Sequence, residues 1–234
     1  MTARVVTIPE ESGLPYRLGR SIEHDERSKA FRAVTAPVEL RNRLHRRWGP
    51  LLDQNGIGAC TYFGLLACAH HRPLYRTGVR YTNDDGFDGY GRATEIDPFA
   101  GTFTWPPAGG QDTGSSGLAA CKVGVERGVI TRYDHAFGLD QTLQATVNST
   151  VMVGTVWKES MFDLSTSGII ECRGADVGGH LYALTGIDVD RELVRIHCAW
   201  LRWGVKGQQW AWMRWRDLGP LLEDRGDAQV PRRT

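Results

Sequence analysis

A cysteine behind a glycine-rich loop is the residue best suited to chemistry in this sequence. Cys60 ends the segment Asp53-Gln-Asn-Gly-Ile-Gly-Ala-Cys60, and apolar residues recur at helical spacing after it. The positive dipole end and free N–H groups of a helix N-terminus lower a thiol pKa and favour the nucleophilic thiolate. Gln54, six residues upstream, carries an amide that can stabilise an oxyanion beside the cysteine. The segment predicts a thiol nucleophile; the alternative is a small buried apolar residue at a helix start.

A thiolate also needs a base and, later, a proton donor for the leaving group, which histidine supplies near neutral pH. His180 is the strongest candidate among the seven histidines, because it follows Gly178-Gly179 and opens an apolar stretch typical of a strand. A polar ring at the edge of a strand is less natural as core packing. We therefore predict that Cys60 and His180 form a catalytic pair.

Other catalytic and metal-binding motifs are missing from the sequence. It contains no GxSxG, HExxH or GxxxxGK[ST] segment, so serine hydrolase, zincin and P-loop chemistry have no support. Cys68, His70 and His71 stand close together, but adjacent residues of a helix point about 100° apart. We predict no metal and no cofactor.

Secondary-structure signals place the two candidate groups on different elements. Helical spacing predicts one helix from about Cys60, a second capped by Ser115 or Ser116 and ending at Gly128, and a third over 140–147. Four later strands are predicted at Val151–Trp157, His180–Asp188, Leu193–Cys198 and Gln209–Trp215. Residues 77–115 are rich in glycine and show no helical period, which predicts a long surface loop. Because helices gather in the first half and strands in the second, the predicted fold class is α+β with two lobes.

The composition limits the class of protein and its partners. The 234 residues carry 28 Lys+Arg against 27 Asp+Glu, and this near-neutral balance gives no strong general attraction to nucleic acid or acidic membranes. The arginines at 41, 43, 46 and 47 are interpreted as a solvated face. No stretch approaches the roughly 18 apolar residues of a membrane span, and the N-terminus lacks the apolar region of a signal peptide. Five scattered cysteines without a CxxC pair favour reduced thiols, which predicts a cytoplasmic protein.

Several segments resemble the papain-like cysteine peptidases, in the shorter form found in bacteria and their viruses. The family's Asp-Gln-Gly-x-Cys-Gly-Ser-Cys-Trp stands here as Asp53 to Thr61, with the Gln-to-Cys spacing of six retained. Its Gly-Gly-His-Ala-Val resembles residues 178–182, and its Asn-Ser-Trp-Gly-x-x-Trp-Gly resembles the stretch from Cys198 to Gly204. Residues 112–129 resemble the intervening Asp-x-Gly-x-Ser and Gly-Val block, so the similarity covers about residues 38–222 in the family's order.

The resemblance implies a papain-like fold with two lobes and an active-site cleft between them. The helical lobe, which carries the nucleophile helix, would span about residues 38–111. The lobe built on an antiparallel sheet or barrel would span about 112–222, inside a peptidase domain of 38–230. Residues 1–37 would be an N-terminal extension with room for a short pro-like arm over the cleft, and residues 223–234 a polar C-terminal tail.

The resemblance also implies roles for single residues. Gln54 and the Cys60 N–H would hold the oxyanion. Trp200 would shield the partner of the histidine from water, and Trp203 would line the leaving-group side of the cleft. Cys198 stands where the family has the asparagine that orients the histidine, and a thiol is a poor hydrogen-bond acceptor.

The favoured hypothesis is a thiol peptidase that cleaves peptide or protein substrates through an acyl-enzyme formed by Cys60 with the help of His180. Cys198 motivates a second hypothesis, a weak or inactive papain-like protein that keeps the cleft to bind a peptide or partner. A third keeps the thiol chemistry but acts on a peptidoglycan amide or another non-protein amide, as an amidase or acyltransferase. No nucleic-acid or membrane partner is expected.

Overall fold

A seven-stranded antiparallel sheet forms the centre of the computed structural model, which describes residues 4–6, 8–97, 100–106 and 108–233. In chain order the strands are β1 (Arg4–Val6), β2 (Arg20–His24), β3 (Arg43–Leu44), β4 (Phe103–Thr104), β5 (Gly109–Gly110), β6 (Ser115–Ser116), β7 (Arg132–Ala136), β8 (Val151–Lys158), β9 (Asp176–Asp188), β10 (Leu193–His197), β11 (Trp210–Arg214) and β12 (Asp227–Arg232). The main sheet has the order β11-β10-β9-β8-β12-β7, and β3 pairs with β9. The longest strand, β9, lies inside the sheet and carries His180.

Five helices pack around this sheet. They are α1 (Cys60–Ala69), α2 (Asn83–Ile96), α3 (Gly117–Glu126), α4 (Gly138–Asn148) and α5 (Trp215–Glu223). Successive side chains of a strand point to opposite faces, so the sheet borders two apolar clusters. On β9, Leu181 and Ala183 belong to the cluster that contains α1, whereas Tyr182 and Leu184 belong to the other cluster.

Most of the elements predicted from the sequence are confirmed. The four predicted strands are β8, β9, β10 and β11, and the three predicted helices are α1, α3 and α4. Ser116 caps α3 by accepting the Ala119 N–H at 3.0 Å. The predicted α+β fold, with helices and an antiparallel sheet in separate layers, is therefore confirmed. One boundary differs, because α3 packs with α1 and α2 although its residues fall in the range predicted for the sheet lobe.

The surface loop predicted over residues 77–115 is wrong over much of its length, since α2 occupies residues 83–96. A reciprocal cap begins the helix: the Thr82 hydroxyl accepts the Asp85 N–H at 3.3 Å, and the Asp85 carboxylate accepts the Thr82 N–H at 2.7 Å. Gly86 and Gly89 interrupt the apolar periodicity by which a helix is recognised in a sequence. Their presence has a packing reason, because a Cβ at Gly89 would come within 2.0 Å of the Tyr62 ring. The glycines therefore allow α2 to approach α1 closely. Residues 98, 99 and 107 of the predicted loop lie outside the described residues.

The polar tail predicted for residues 223–234 is also wrong, because β12 is an inner strand between β8 and β7. Ala228, Gln229 and Val230 are all buried there. The helix α5, which precedes β12, was not predicted either. Six residues of mixed polarity look like a tail in isolation, and only their strand partners give them a buried position.

The N-terminal extension packs on the rest of the chain instead of standing apart from it. The strand β2 pairs antiparallel with β1 and parallel with β6, which immediately precedes α3. Ile8 and Leu18 are buried in the apolar cluster on the Tyr182 side of the sheet. We call residues 8–20 the arm. Its path crosses the start of β9, where the Glu11 N–H donates to the Val177 carbonyl at 3.1 Å.

The cysteines and helices show two further features. All five cysteines are free, and only Cys172 is partly exposed. Within the described ranges no helix has the length and apolar character that a membrane crossing requires.

We predict that Thr82→Ala destabilises the protein through loss of the α2 cap. Removing a helix N-cap hydroxyl typically costs about 1 kcal/mol, so the free energy of unfolding measured in urea should fall by about that amount. Thr77→Ala, in the exposed loop before the helix, is the matched control and should leave the stability unchanged. Equal effects of the two substitutions would contradict the assigned cap.

Candidate active site

Cys60 is the first residue of α1 and lies against the strand that carries His180. Its side chain is buried, and its thiol makes a hydrogen bond with the backbone of Leu181. One turn further along α1, a Cβ at Gly64 would come within 2.3 Å of the Leu181 side chain. The absence of that Cβ lets helix and strand approach closely, which places the thiol beside the residue that follows His180.

The loop before α1 is held in place from two sides. The Gln54 N–H donates to the Ala199 carbonyl at 3.0 Å, and the Asp112 carboxylate accepts the Gly58 N–H at 2.9 Å. Asp112 also accepts the Tyr90 hydroxyl at 2.7 Å, which connects the loop to α2. The sequence assigned Asp112 no role, although its place in the Asp-x-Gly-x-Ser block was an available signal. Asp112 positions the nucleophile loop.

The imidazole of His180 is fully buried among aromatic rings. It stacks on Trp200 at a centroid distance of 4.0 Å and meets Trp157 edge-on at 4.9 Å. Neither ring nitrogen has a hydrogen-bond partner among the described residues. This burial lowers the pKa of His180 well below its ordinary value, so the ring is neutral at pH 7.

Cys198 is buried near Cys60 and does not orient the His180 ring. Burial raises the pKa of the Cys198 thiol, and a charge on the nearby Cys60 would raise it further. Since the nitrogens of His180 have no partner, the thiol at this position does not accept a hydrogen bond from the ring. Trp203 is buried behind Trp200, at a centroid distance of 5.8 Å, and donates its indole N–H to the Phe162 carbonyl at 3.1 Å.

The arm passes between the nucleophile loop and the start of β9. The Gly19 N–H donates to the Gly179 carbonyl at 3.0 Å, directly before His180. On its other side, a Cβ at Gly19 would come within 2.2 Å of the Gly58 carbonyl oxygen, two residues before Cys60. Gly19 thus lies in a narrow strip between the segments that carry the thiol and the imidazole. Only a residue without a side chain fits there.

The arm residues before Gly19 contact the side chains of Gln54 and Trp200. The Arg17 carbonyl accepts the Gln54 side-chain amide at 3.0 Å and the Trp200 indole N–H at 3.3 Å. The Tyr16 ring stacks on Trp200 at 4.9 Å, on the indole that also covers His180. The arm therefore holds the amide N–H of Gln54 that the sequence assigned to an oxyanion. It also connects Gln54, Trp200 and His180 into one contiguous cluster.

The covered site keeps both candidate catalytic groups uncharged. Burial raises the pKa of the Cys60 thiol to about 12, although the backbone hydrogen bond with Leu181 and the charge of Arg20 lower it in part. Burial also holds His180 neutral. A thiolate and an imidazolium would lose most of their hydration in this position. In the arrangement with the arm in place, the thiol is therefore a poor nucleophile.

The other cysteine and histidine cluster of the sequence does not converge on a common point. His70 Nδ1 bonds the Pro50 carbonyl at 3.1 Å, whereas His71 Nδ1 bonds the Ala67 carbonyl at 2.7 Å. Among the described residues no group of three or more His, Cys, Asp or Glu side chains could hold a metal ion. Cys68 is buried in the apolar cluster around α1.

Comparison with known proteins identifies the fold. No protein-family model and no curated protein matches the sequence. Xylellain, a cysteine protease from Xylella fastidiosa, has a solved structure that matches with a TM-score of 0.63 and 14% identity, over 97% of this chain and 95% of its own. The ragweed pollen cysteine protease Amb a 11, in its proform, matches with a TM-score of 0.56 and 13% identity, over 86% of this chain and 61% of its own.

A third structure extends the comparison to a further organism. Procathepsin B S9 from Trypanosoma congolense matches with a TM-score of 0.54 and 11% identity, over 92% of this chain and 86% of its own. The chain therefore has the papain-like cysteine protease fold, and the fold implied by the sequence motifs is confirmed. At sequence identities this low, the structural similarity establishes the fold and does not establish the activity.

We predict that Cys60 of the full chain reacts slowly with iodoacetamide and that the rate increases with pH. Because the thiol pKa is about 12, the thiolate fraction, and with it the rate, should rise about tenfold per pH unit between roughly pH 7 and 9. Peptide mapping by mass spectrometry measures the rate at Cys60, with the urea-unfolded chain as the reference. A rate that is already constant below pH 7 would contradict a neutral, desolvated thiol.

Proposed function

We propose that the protein is a latent thiol peptidase whose nucleophile is Cys60 and whose general base is His180. Gln54 and the Cys60 N–H stabilise the oxyanion, and Trp200 covers the imidazole. Supporting this proposal, the fold is that of cysteine proteases, and Cys60 lies at the start of α1 against the strand that carries His180. The single observation that carries it is the arm residue Gly19, which contacts the segments before both groups.

The proposed reaction begins once the arm leaves the strip. His180 takes the proton of Cys60, and the sulfur attacks the substrate carbonyl to form a C–S bond. The C–N bond then breaks, and the amine leaves with the proton returned by His180. Water, deprotonated by His180, hydrolyses the thioester and regenerates the thiol. No metal or cofactor takes part in these steps.

In the proposed enzyme, the arm keeps the active site inactive by covering it. It fills the strip beside Cys60, uses the Gln54 amide and excludes water from the thiol and the imidazole. In this proposal the arm, residues 8–20, is the part of the N-terminal extension that covers the site, and the peptidase domain begins near residue 38. Residues 24, 26, 27, 29 and 30 lie beyond the arm on exposed chain, where proteolysis or a partner can reach the connection before it pairs with His135 on β7 at Phe31 and Ala33.

Displacing the arm tests the proposed function directly. A Cβ at Gly19 would collide with the Gly58 carbonyl, and overpacking of this kind costs about 1–3 kcal/mol. Since about 1.4 kcal/mol corresponds to a factor of ten, Gly19→Val should raise the open population by roughly 5- to 150-fold. We expect faster labelling of Cys60 by a peptidyl fluoromethyl ketone and measurable cleavage of unfolded casein.

The controls distinguish activation from damage. Ser12→Ala, at an exposed position of the same arm, should leave labelling and cleavage at the level of the unaltered chain. Cys60→Ala in the Gly19→Val background should abolish both. Labelling at a different cysteine, or no labelling of Cys60 in any variant, would refute the proposed nucleophile.

Cys198 supports one competing function, a protein that binds a peptide in the cleft without cleaving it. His180 has no acceptor to fix its tautomer among the described residues, because a thiol occupies the position of the family's asparagine. Losing the orienting group slows catalysis while the nucleophile, base and oxyanion donors remain. If Cys60 and His180 are catalytic, the natural enzyme is therefore expected to cleave its substrate slowly.

We predict that Cys198→Asn in the Gly19→Val background raises kcat by about tenfold, because an amide oxygen accepts the His180 N–H. Cys172→Ser, which alters the partly exposed cysteine, is the matched control and should leave kcat unchanged. Cleavage by the Cys198→Asn variant, but never by protein that keeps the natural cysteine, would instead establish the binding function.

A further inference from the structure

Two half-buried arginines lie close together at the opposite end of α1 from Cys60. Arg47, from the arginine run after β3, forms an antiparallel bridge with His71, the second residue after α1. Arg195 is on β10, a strand of the main sheet. Burial lowers the pKa of Arg195 to about 10, and the positive charge of Arg47 contributes to this shift. The two guanidinium groups are therefore near enough to repel each other.

The backbone brings two histidines to the same place. Opposed residues of an antiparallel bridge project to one face, so Arg47 and His71 lie side by side. Arg195 and His197 are two positions apart on β10 and share one face of that strand. The rings of His71 and His197 meet edge to face at a centroid distance of 5.4 Å, which joins the two pairs. We call these four residues the arginine cluster.

Several nitrogens of the arginine cluster have no partner. Neither guanidinium has a hydrogen-bond or ion-pair partner among the described residues, and Arg195 Nε is buried. His71 Nε2 and His197 Nδ1 are also buried without a partner, in side chains that are only 1% and 4% exposed. Because buried polar groups of proteins are nearly always hydrogen-bonded, this concentration of unpartnered nitrogens is typical of a binding site.

The charge of the arginine cluster indicates the kind of ligand. Burial, and with it the charges of both arginines, lowers the pKa of His71 and of His197, so the two rings are neutral at pH 7. The cluster then carries the two positive charges of Arg47 and Arg195. Partly desolvated charges of like sign are unfavourable unless an opposite charge compensates them. A ligand with two negative charges supplies that compensation.

The contact of Arg195 with a tryptophan favours a phosphate group. The guanidinium of Arg195 stacks on Trp210, with Cζ 4.6 Å from the ring centroid. Stacking fixes the plane of the guanidinium and leaves its N–H edges available, and such an edge can donate two parallel hydrogen bonds to a phosphate. A phosphate monoester has a charge of about −1.5 to −2 at pH 7. It can compensate both arginines at once, whereas a carboxylate or a phosphodiester has a single charge.

We propose that Arg47 and Arg195 bind the phosphate group of a phosphate monoester, at a site separate from the candidate active site. The ten residues of α1 place it about 15 Å from Cys60 along the helix axis. Arg46, which is exposed and stacks on Trp48 at 4.1 Å, adds a positive charge next to Arg47 for the molecule that carries the phosphate. This site is independent of the proposed peptidase function.

Titration of the full chain with inorganic phosphate tests the site, with sodium acetate at equal ionic strength as the reference. Phosphate should raise the Tm saturably, and acetate should not. Arg47→Gln and Arg195→Gln should each raise the Kd for phosphate, measured by calorimetry, roughly 10- to 100-fold, because each removes the hydrogen bonds of one charged group. Arg216→Gln, at an exposed position of α5, makes the same change in net charge and should leave the Kd unchanged.

Two further measurements distinguish ligand binding from a packing role. In phosphate-free buffer, both glutamine variants should have a Tm no lower than that of the unaltered chain, because each removes a half-buried charge without a counter-ion. Arg195→Lys keeps the charge and lacks the planar fork, so its affinity for phosphate should be intermediate. If both glutamine variants lose stability without phosphate, or if the lysine variant binds phosphate as tightly as the unaltered chain, the proposal is overturned.

The last comparison identifies the source of the phosphate. A phosphoserine peptide that binds more tightly than inorganic phosphate, while its unphosphorylated form does not bind, would indicate a phosphorylated protein partner. Equal affinities would indicate a small free phosphate, and both results support the site. Binding of oligothymidylate without binding of inorganic phosphate would instead indicate a nucleic-acid surface and refute it. A phosphate response that is missing, or unchanged in both glutamine variants, would refute it as well, and the labelling of Cys60 would remain a separate test of the peptidase.

Discussion

Removal of water from one sulfur and one imidazole is the constraint on which the rest of this structure depends. Neither group can carry charge in an environment that solvates no ion, so Cys60 remains a thiol and His180 a neutral ring. The arm contributes to that environment because Gly19 fits between two backbone segments and the residues before it hydrogen-bond and stack on Gln54 and Trp200. In the proposed function, latency is a consequence of this desolvation and ends when water and substrate replace the arm.

The groups that the arm covers are held by elements that do not belong to it. The helix α1 is buried over its whole length and approaches β9 where Gly64 lacks a side chain. Asp112 fixes the loop before the helix through the Gly58 N–H and connects it to Tyr90 on α2. Trp200 follows β10 and covers His180. These contacts position Cys60 and His180 through residues that lie outside the arm.

Arg20 forms a buried ion pair that holds the arm against the main sheet. A charge pair removed from water gives little net stability, yet breaking it by removing one partner is costly. Asp227 on β12 therefore makes the packing of the arm depend on the Arg20 guanidinium.

Local sequence patterns determined the elements whose periodicity is unbroken, which include β8, β9, β10, α3 and the helix that begins at Cys60. The glycine contexts of Cys60 and His180 identified two candidate groups 120 residues apart along the chain, because loop and strand chemistry is local. Tertiary structure alone decided the rest. The helix α2 is interrupted by glycines that only its contact with α1 explains, and β12 becomes an inner strand only through its neighbours. Arg20 and Asp227 are 207 positions apart, and no spacing rule connects them. Their contact, like the dry strip around Gly19, exists only once the sheet has assembled, because desolvation is produced by packing and is not written in any single segment.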